Sequence, residues 1–376
     1  MTAGPLSGAL GDRALEASAV SIELAERVCA VARSLGFDAV GIARADRPLD
    51  DDIARYDAFV AAGMHGEMTW LAEHRRARER LDGEAVLPGA RSVICLAKRY
   101  RGASEGEEPP LARAVARYAR GQDYHKFLRR KVRRLASFVR TLGTTERPAF
   151  ARPLCDDAPV LERAWAARAG LGFVGKNGML IIPGTGSMAL LGEVVTTLAL
   201  ATGSPMSQRC GSCTRCLDAC PTGAFVAPFV LDARKCVSYL TIEHRSEVAE
   251  SLRERIGGHL FGCDECQTVC PFNAGTTSSR TSPSTSDPFA SLERWAETEL
   301  SDFLMPTESQ WDELCRGSPL KRAGRAGMAR NAAIVLGNAG DAGSAPALRE
   351  AATAHPDPVV RDAASWALDR IADKSR

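Results

Sequence analysis

The chain has no run of apolar residues long enough to cross a bilayer. Its most apolar stretch, Met179 to Leu200, is broken by Pro183, Gly184, Gly186, Gly192 and Glu193, and it reads as strands with a turn between them. No basic segment followed by an apolar core stands near the start, so secretion is not expected, nor the oxidising compartment in which disulfides persist. An excess of one charge is also missing. The chain carries 48 Lys and Arg against 46 Asp and Glu, a net charge of +2, which excludes a strongly acidic or charge-driven disordered protein. Residues 1–18, rich in Gly, Ala and Ser, are the exception and are expected to be disordered. What remains is a 376-residue chain, 45% hydrophobic, sized for two or three domains; a cytoplasmic enzyme with no membrane partner is the expectation.

Against these absences, cysteine stands out. Cys210, Cys213, Cys216 and Cys220, with Pro221 behind them, have the C-x2-C-x2-C-x3-C-P spacing of a ferredoxin run that holds 4Fe–4S clusters. A second, partial run is Cys263, Cys266 and Cys270 before Pro271; Leu260 stands where its first cysteine would be, and Cys236 is the natural substitute. If each run gives its last cysteine to the other cluster, one cluster takes Cys210, Cys213, Cys216 and Cys270. The other takes Cys236, Cys263, Cys266 and Cys220. Structural zinc also uses four thiolates, but as two separated knuckles rather than three cysteines in seven residues. Cys29, Cys95, Cys155 and Cys315 are read as small buried hydrophobes.

Periodicity outlines the rest. Leu24, Val28, Val31 and Leu35 share one helical face, with Gly36 as a stop. Strands are expected over residues 37–43 and 92–97, a basic helix over 126–140, a helix over 160–169, and strands near 180–200. The expected domains are an α/β unit over 19–202, a ferredoxin-like two-cluster module over 203–274, a polar linker over 275–287 and an all-α tail over 288–376. In the tail, Arg330-Asn-Ala-Ala resembles Arg361-Asp-Ala-Ala, 31 residues later, with a turn at His355–Pro358 between them. This is the pattern of HEAT-like repeats, which stack to bury faces they cannot bury alone.

Three further features carry more than one reading. Gly170-Leu-Gly-Phe-Val-Gly175-Lys176 fits G-x-G-x-x-G, with Glu193 placed 21 residues beyond Gly172. A dinucleotide loop follows a strand and opens a helix, however, and here a helix comes first and strand-like residues follow. Asn177 also stands where a phosphate loop needs Ser or Thr. A helix stop and a close backbone approach to another large cofactor both remain open. Asp156-Asp157-Ala-Pro159 is either a helix cap or a catalytic carboxylate pair. Basic residues gather over 126–134 and in the tail at Lys321, Arg322, Arg325, Arg330 and Arg361; such segregation in a nearly neutral chain suits either solvated faces or a polyanion partner.

Taken jointly, these segments resemble the epoxyqueuosine reductase family across residues 20–372. The resemblance is carried by Arg117-Tyr-Ala-Arg-Gly-Gln-Asp-Tyr-His125, Cys155-Asp-Asp-Ala-Pro-Val-Leu-Glu162, Ala169-Gly-Leu-Gly-Phe-Val-Gly-Lys-Asn177, Cys236-Val-Ser238 and the two cysteine runs. It implies an α/β cobalamin-binding domain, two 4Fe–4S clusters and a HEAT-like tail that grips tRNA, and it places the chain near the reductive dehalogenases. Asp156 falls at the family's proton donor, although the usual V-D-S-A-P reads Cys155-Asp156-Asp157-Ala-Pro159 here. Arg80, Asp156, Arg163, Lys176, Asn177, Ser238 and Gly262 fall where the family contacts cobalamin. Asp123 and Tyr124 fall near the substrate pocket, and the tail cations Lys321, Arg322, Arg325, Arg330 and Arg361 are the tRNA candidates. None of the six histidines lies in a recognisable cobalamin-ligand motif.

The reaction so implied removes the epoxide oxygen of epoxyqueuosine at the wobble position of a tRNA anticodon arm, as the last step of queuosine biosynthesis. Electrons would come from a low-potential donor such as a ferredoxin or flavodoxin, and the enzyme is expected to be a monomer. Cluster potentials reach about −700 mV, low enough to feed such a step. For Asp156 to donate a proton near neutrality, an apolar pocket should raise its pKa. The alternatives are a reductive dehalogenase-like enzyme of small molecules and a non-catalytic RNA-binding iron–sulfur protein.

Overall fold

In the computed structural model the residues described are 19–100, 108–274 and 287–374. The segment expected to be disordered, 1–18, and all of the expected linker but Asp287 lie outside them.

The first unit is a four-stranded sheet covered on both faces. Helix α1 (Ala19–Ser34) buries Val28 and Ala32 and ends before Gly36, whose φ is +85°. Strand β1 (Ala39–Arg44), β2 (Ser92–Arg99), β3 (Ala151–Leu154) and β4 (Ala189–Thr196) pair antiparallel in the order β1-β2-β4-β3. Alternate residues face opposite ways along each strand. Ile94, Leu96 and Val194 therefore pack with Leu128, Val132 and Leu135 of helix α2 (Tyr124–Arg140) and with α1. Val93, Cys95 and Val195 pack on Trp165 of helix α3 (Glu162–Arg168) from the other side. After α3 the chain forms a two-residue ladder, Phe173–Val174 against Leu180–Ile181. A Cβ on Gly172 would meet the Ile181 carbonyl oxygen at 2.1 Å, so that glycine allows two backbones to touch. No helix opens from this loop, which disposes of the dinucleotide reading.

The cysteine region is built from short helices, one-turn at Arg215–Asp218 and Glu265–Thr268 and longer at Val237–Ile242 and Glu250–Ile256, with a small hairpin. Helices α4 (Gly324–Ala339), α5 (Ala345–Ala354) and α6 (Pro358–Lys374) form the tail. The expected turn at His355–Pro358 lies between α5 and α6. The two look-alike segments, in α4 and α6, pack on each other so closely that a Cβ on Gly337 would lie 2.8 Å from the Ala367 Cα. The tail's core is not its own. Trp295, Phe303, Met328 and Ala332 share one apolar cluster with Leu240, Ile256 and Phe261 of the cysteine region and Leu111 and Val115 upstream. Among the described residues no helix is long and apolar enough to cross a membrane. Cys95, Cys155 and Cys315 are buried among hydrophobes and Cys29 is partly so, as expected.

Candidate active site

The fold brings the eight clustered cysteines into one neighbourhood. The Cys216 thiol interacts electrostatically with Cys210, Cys270 and Cys213, and Cys270 with Cys210 and Cys213. Cys236 interacts with Cys220, Cys263 with Cys236, and Cys266 with Cys263, Cys236 and, across to the first run, Cys216. Burial pushes the Cys216, Cys236, Cys263, Cys266 and Cys270 thiols up, so a positively charged partner must draw their protons off.

The glycine loop between the sheet and these cysteines touches both runs. Lys176 Nζ donates to the carbonyls of Gly211 (2.7 Å) and Cys213 (3.0 Å) in the first run. Asn177, which is buried, donates from Nδ2 to the Cys266 carbonyl at 3.2 Å in the second. Arg163 donates to the Gly178 carbonyl, and Ser238 Oγ lies 3.5 Å from the Cys263 carbonyl. Gly262 is buried and donates its N–H to Thr241 Oγ1 at 2.9 Å. Of the expected cofactor residues, Lys176 and Asn177 thus form a seam between the glycine loop and the cysteine region, while the contact of Arg163 is to the loop itself and those of Ser238 and Gly262 stay within the cysteine region. Arg80 stands apart, exposed, in a two-point ion pair with Asp82.

Asp156 follows β3 with φ of +53°, a left-handed conformation that a non-glycine residue holds only when its surroundings insist on it. Its Oδ2 accepts from Tyr124 Oη at 2.8 Å and faces His125 Nε2 at 3.3 Å. His125 Nδ1 in turn lies 2.8 Å from Asp123 Oδ1, and Asp123 caps α2 by accepting from the His125 backbone N–H. The start of one helix therefore delivers two polar side chains to one carboxylate, with Asp123 behind the second. Asp157 turns away: Oδ1 accepts from the Cys155 N–H and Oδ2 lies 3.5 Å from Arg129 Nε. Of the two adjacent acids, Asp156 is the one that faces Tyr124 and His125.

The expected rise in the Asp156 pKa is not found. Burial does push it upward, but hydrogen bonds from His125 and Tyr124 and the charges of His125 and Arg322 outweigh that and carry it below the usual carboxylate range. His125 is raised to about 9 by its hydrogen bonds to Asp123 and then Asp156. At neutral pH the resting proton therefore resides on His125. Sequence reasoning missed His125 as a site residue, although it stands directly after Asp123 and Tyr124, which were singled out.

Behind this group lies a second pair of carboxyls. Glu193, in the middle of the sheet opposite Cys95 and Leu154, is fully buried. Neither of its oxygens has a conventional hydrogen-bond partner; the neighbouring polar group is the Glu162 carboxyl, and the two bond to each other only when one holds a proton. Burial raises Glu162 to about 7 and drives Glu193 well above the ordinary range.

The tail cations divide. Arg330 is 1% exposed; it donates to the carbonyls of Leu240, His244 and Ser246 and to Asn331 Oδ1. It ties α4 to the cysteine region and faces no solvent, so it is not an RNA contact. Arg361 donates to the His355 and Pro356 carbonyls, and Lys321 pairs with Asp312. Arg325 is exposed. Arg322 makes a two-point ion pair with Glu243 while its charge reaches Asp156 and Tyr124, so the tail contributes to the site.

Eight cysteines in ferredoxin spacing, with a carboxylate polarised by Tyr124 and His125 elsewhere in the same fold, mark the class as an iron–sulfur oxidoreductase. A family model described as 4Fe-4S double cluster binding domain matches residues 209–273, and one described as Epoxyqueuosine reductase QueG, DUF1730 matches residues 80–156. The epoxyqueuosine reductase of Gloeobacter violaceus is 43% identical over 312 residues, covering 82% of this chain and 95% of that one. Among solved structures, an epoxyqueuosine reductase with an epoxyqueuosine-modified tRNA-Tyr stem loop aligns at 30% identity and TM-score 0.82, over 94% of this chain and 91% of that one. The Bacillus subtilis epoxyqueuosine reductase with its catalytic aspartate loop swung out of the active site aligns at 30% identity and TM-score 0.82, over 93% and 90%. This chain belongs to the epoxyqueuosine reductase family.

Proposed function

We propose that this protein reduces epoxyqueuosine to queuosine in tRNA, as a cytoplasmic monomer drawing single electrons from a ferredoxin- or flavodoxin-type donor through its two clusters. The observation that carries this reading is Asp156, held in a left-handed conformation by Tyr124, His125 and Glu162 beside the seam that joins both cysteine runs. The net change takes two electrons and two protons, opens the epoxide, forms the alkene and releases the oxygen as water.

The seam fits a large cofactor. The Asp156 side chain keeps 60% of its accessible surface although protein surrounds it on most sides, which is the environment of a group on the wall of an open recess. Arg163, Lys176, Asn177, Ser238 and Gly262 would hold a cobalamin along this seam, with Arg80 at its edge. Bound there, cobalamin supplies a low-potential metal centre for the two-electron step. The protein's own part is the proton. Filling the recess displaces water from Asp156, strengthens the upward push of burial and favours transfer of the His125 proton to the carboxylate. A protonated Asp156 then meets the departing oxygen, so no free alkoxide is expelled. The HEAT-like tail, through Arg322 and Arg325, would hold the RNA, whose modified base is splayed from its loop into the recess.

The test is anaerobic incubation of the reconstituted protein with epoxyqueuosine-containing tRNA, with and without cobalamin, followed by nucleoside mass spectrometry. Queuosine should form only with cobalamin and reductant. Intact epoxyqueuosine in the complete mixture, with eight irons bound, would overturn the reading.

A further inference from the structure

Helix α2 contains seven Lys and Arg residues and no Asp or Glu. Five of the seven, Lys126, Arg129, Arg130, Arg133 and Arg134, line one shallow groove of about 770 Å³ with Ser137. Their spacing of three and four residues puts them on a single face. Lys126, Arg130, Arg133 and Arg134 are exposed and form no ion pair with a carboxylate among the described residues. The acid that approaches the face is Asp157, 3.5 Å from Arg129. The opposite face, with Leu128, Val132, Leu135 and Val139, is buried on the sheet.

Nothing in the fold requires this arrangement. Like charges at these spacings oppose helix formation, and a lysine in the first turn opposes the helix dipole. An ordinary solvated face would interleave Glu with Lys. Position supplies the reason. The face starts at Lys126, next to His125 in the Asp156 site, and runs to Ser137, about 16 Å along the helix axis at 1.5 Å per residue. It therefore leads away from the Asp156 site along the sheet side, whereas the charge of Arg322 reaches that site from the tail.

We propose that this face of α2 is a phosphate rail for the RNA substrate, gripping the arm from the side opposite the tail. The proposal rests on tRNA being the substrate and adds a second surface to that reading. An acidic electron-donor protein is disfavoured as the occupant because α2 packs on the sheet and α1, and the hydrogen bonds to the cysteine loops come from the glycine loop and not from α2.

The experiment compares the holoprotein with the Arg130→Glu/Arg133→Glu/Arg134→Glu variant, checking that iron content and apparent Tm match. Binding of an unmodified tRNA anticodon stem-loop is measured across a salt series. The slope of log affinity against log salt should flatten by about 0.7–0.9 for each phosphate that is no longer neutralised, hence by about 2 for the triple variant. An unchanged slope and affinity would overturn the rail. So would slower cluster reduction by an acidic flavodoxin with RNA binding intact, which would give the face to the donor. Because the probe is unmodified RNA, failure of the rail is separable from failure of the proposed chemistry, which is read on epoxyqueuosine-tRNA with the wild-type protein.

Discussion

The Glu162 carboxylate accepts a hydrogen bond at 2.9 Å from the backbone N–H of Asp156. It thus holds from behind a residue whose side chain is held in front by Tyr124 and His125. Glu162 begins α3, so the reacting loop is tied to the helix that packs beneath the sheet. Glu162→Ala should release the loop and lower kcat, whereas Glu162→Gln, whose amide oxygen still accepts, should keep most of it. Equal loss in both variants, with clusters intact, would show that charge and not the hydrogen bond matters.

His125, raised to about 9 by Asp123 and Asp156, gives the reaction an alkaline limit. A raised histidine contributes stability in full below its unfolded value of about 6.5 and loses it as pH rises through about 9. The same deprotonation removes the stored proton. The pH–rate profile should fall above about pH 9. His125→Gln should lower kcat roughly 100-fold and abolish that limb; a limb persisting near 9 in the variant would assign it to another group.

The Glu162–Glu193 pair has the opposite linkage. Both acids are raised above their unfolded values, so above about pH 4.5 the folded state binds more protons than the unfolded chain and stability falls as pH rises toward 7 and beyond. Glu193→Gln removes the charge without changing shape. Apparent Tm of the anaerobic holoprotein should rise at pH 8 and its fall between pH 5 and 8 should flatten. A lower Tm at pH 8 would mean that Glu193 is ionised and paired.

Lys176 and Asn177 should act on different clusters, since one holds the Gly211 and Cys213 carbonyls and the other the Cys266 carbonyl. Lys176→Met is expected to loosen the cluster bound by Cys210, Cys213, Cys216 and Cys270, and Asn177→Ala the other. Iron content with EPR of each reduced variant reads this directly. Identical spectra in the two variants would remove the distinction.

Arg330 tests scaffold against RNA contact. Arg330→Met leaves the buried Leu240 carbonyl without its donor from Arg330, at a cost of about 1–3 kcal/mol, and removes two part-buried bonds to His244 and Ser246. A large drop in Tm with an unchanged RNA salt slope is expected. A weaker slope at unchanged Tm would restore Arg330 to the RNA surface.

Much of this molecule was legible locally. The cysteine spacing defines two clusters because ligands a few residues apart must meet one cubane, and the double-cluster match over residues 209–273 agrees. Strand alternation and helical periodicity located β1, β2, α1, α2 and α3, because each must present one apolar face to a common core. Charge was less legible. Arg325 and Arg330 are five residues apart on one helix, yet one is exposed and the other buried, and only the position of the cysteine region against α4 separates them.

The state of the proton at the site was beyond the sequence altogether. Cysteine spacing by itself determined the iron–sulfur class, and periodicity the helical tail, since those depend on neighbours in the chain; the Asp156 segment was assigned to the site only through the family resemblance. Only the tertiary structure decided that Asp156 is held below the usual carboxylate range by His125 and Tyr124, that the charge of Arg322 reaches it from the tail, and that burial drives the Glu193 carboxyl well above its ordinary range. A pKa is set by burial and by charges brought within a few ångströms, and for these residues the partners come from segments far apart in the chain.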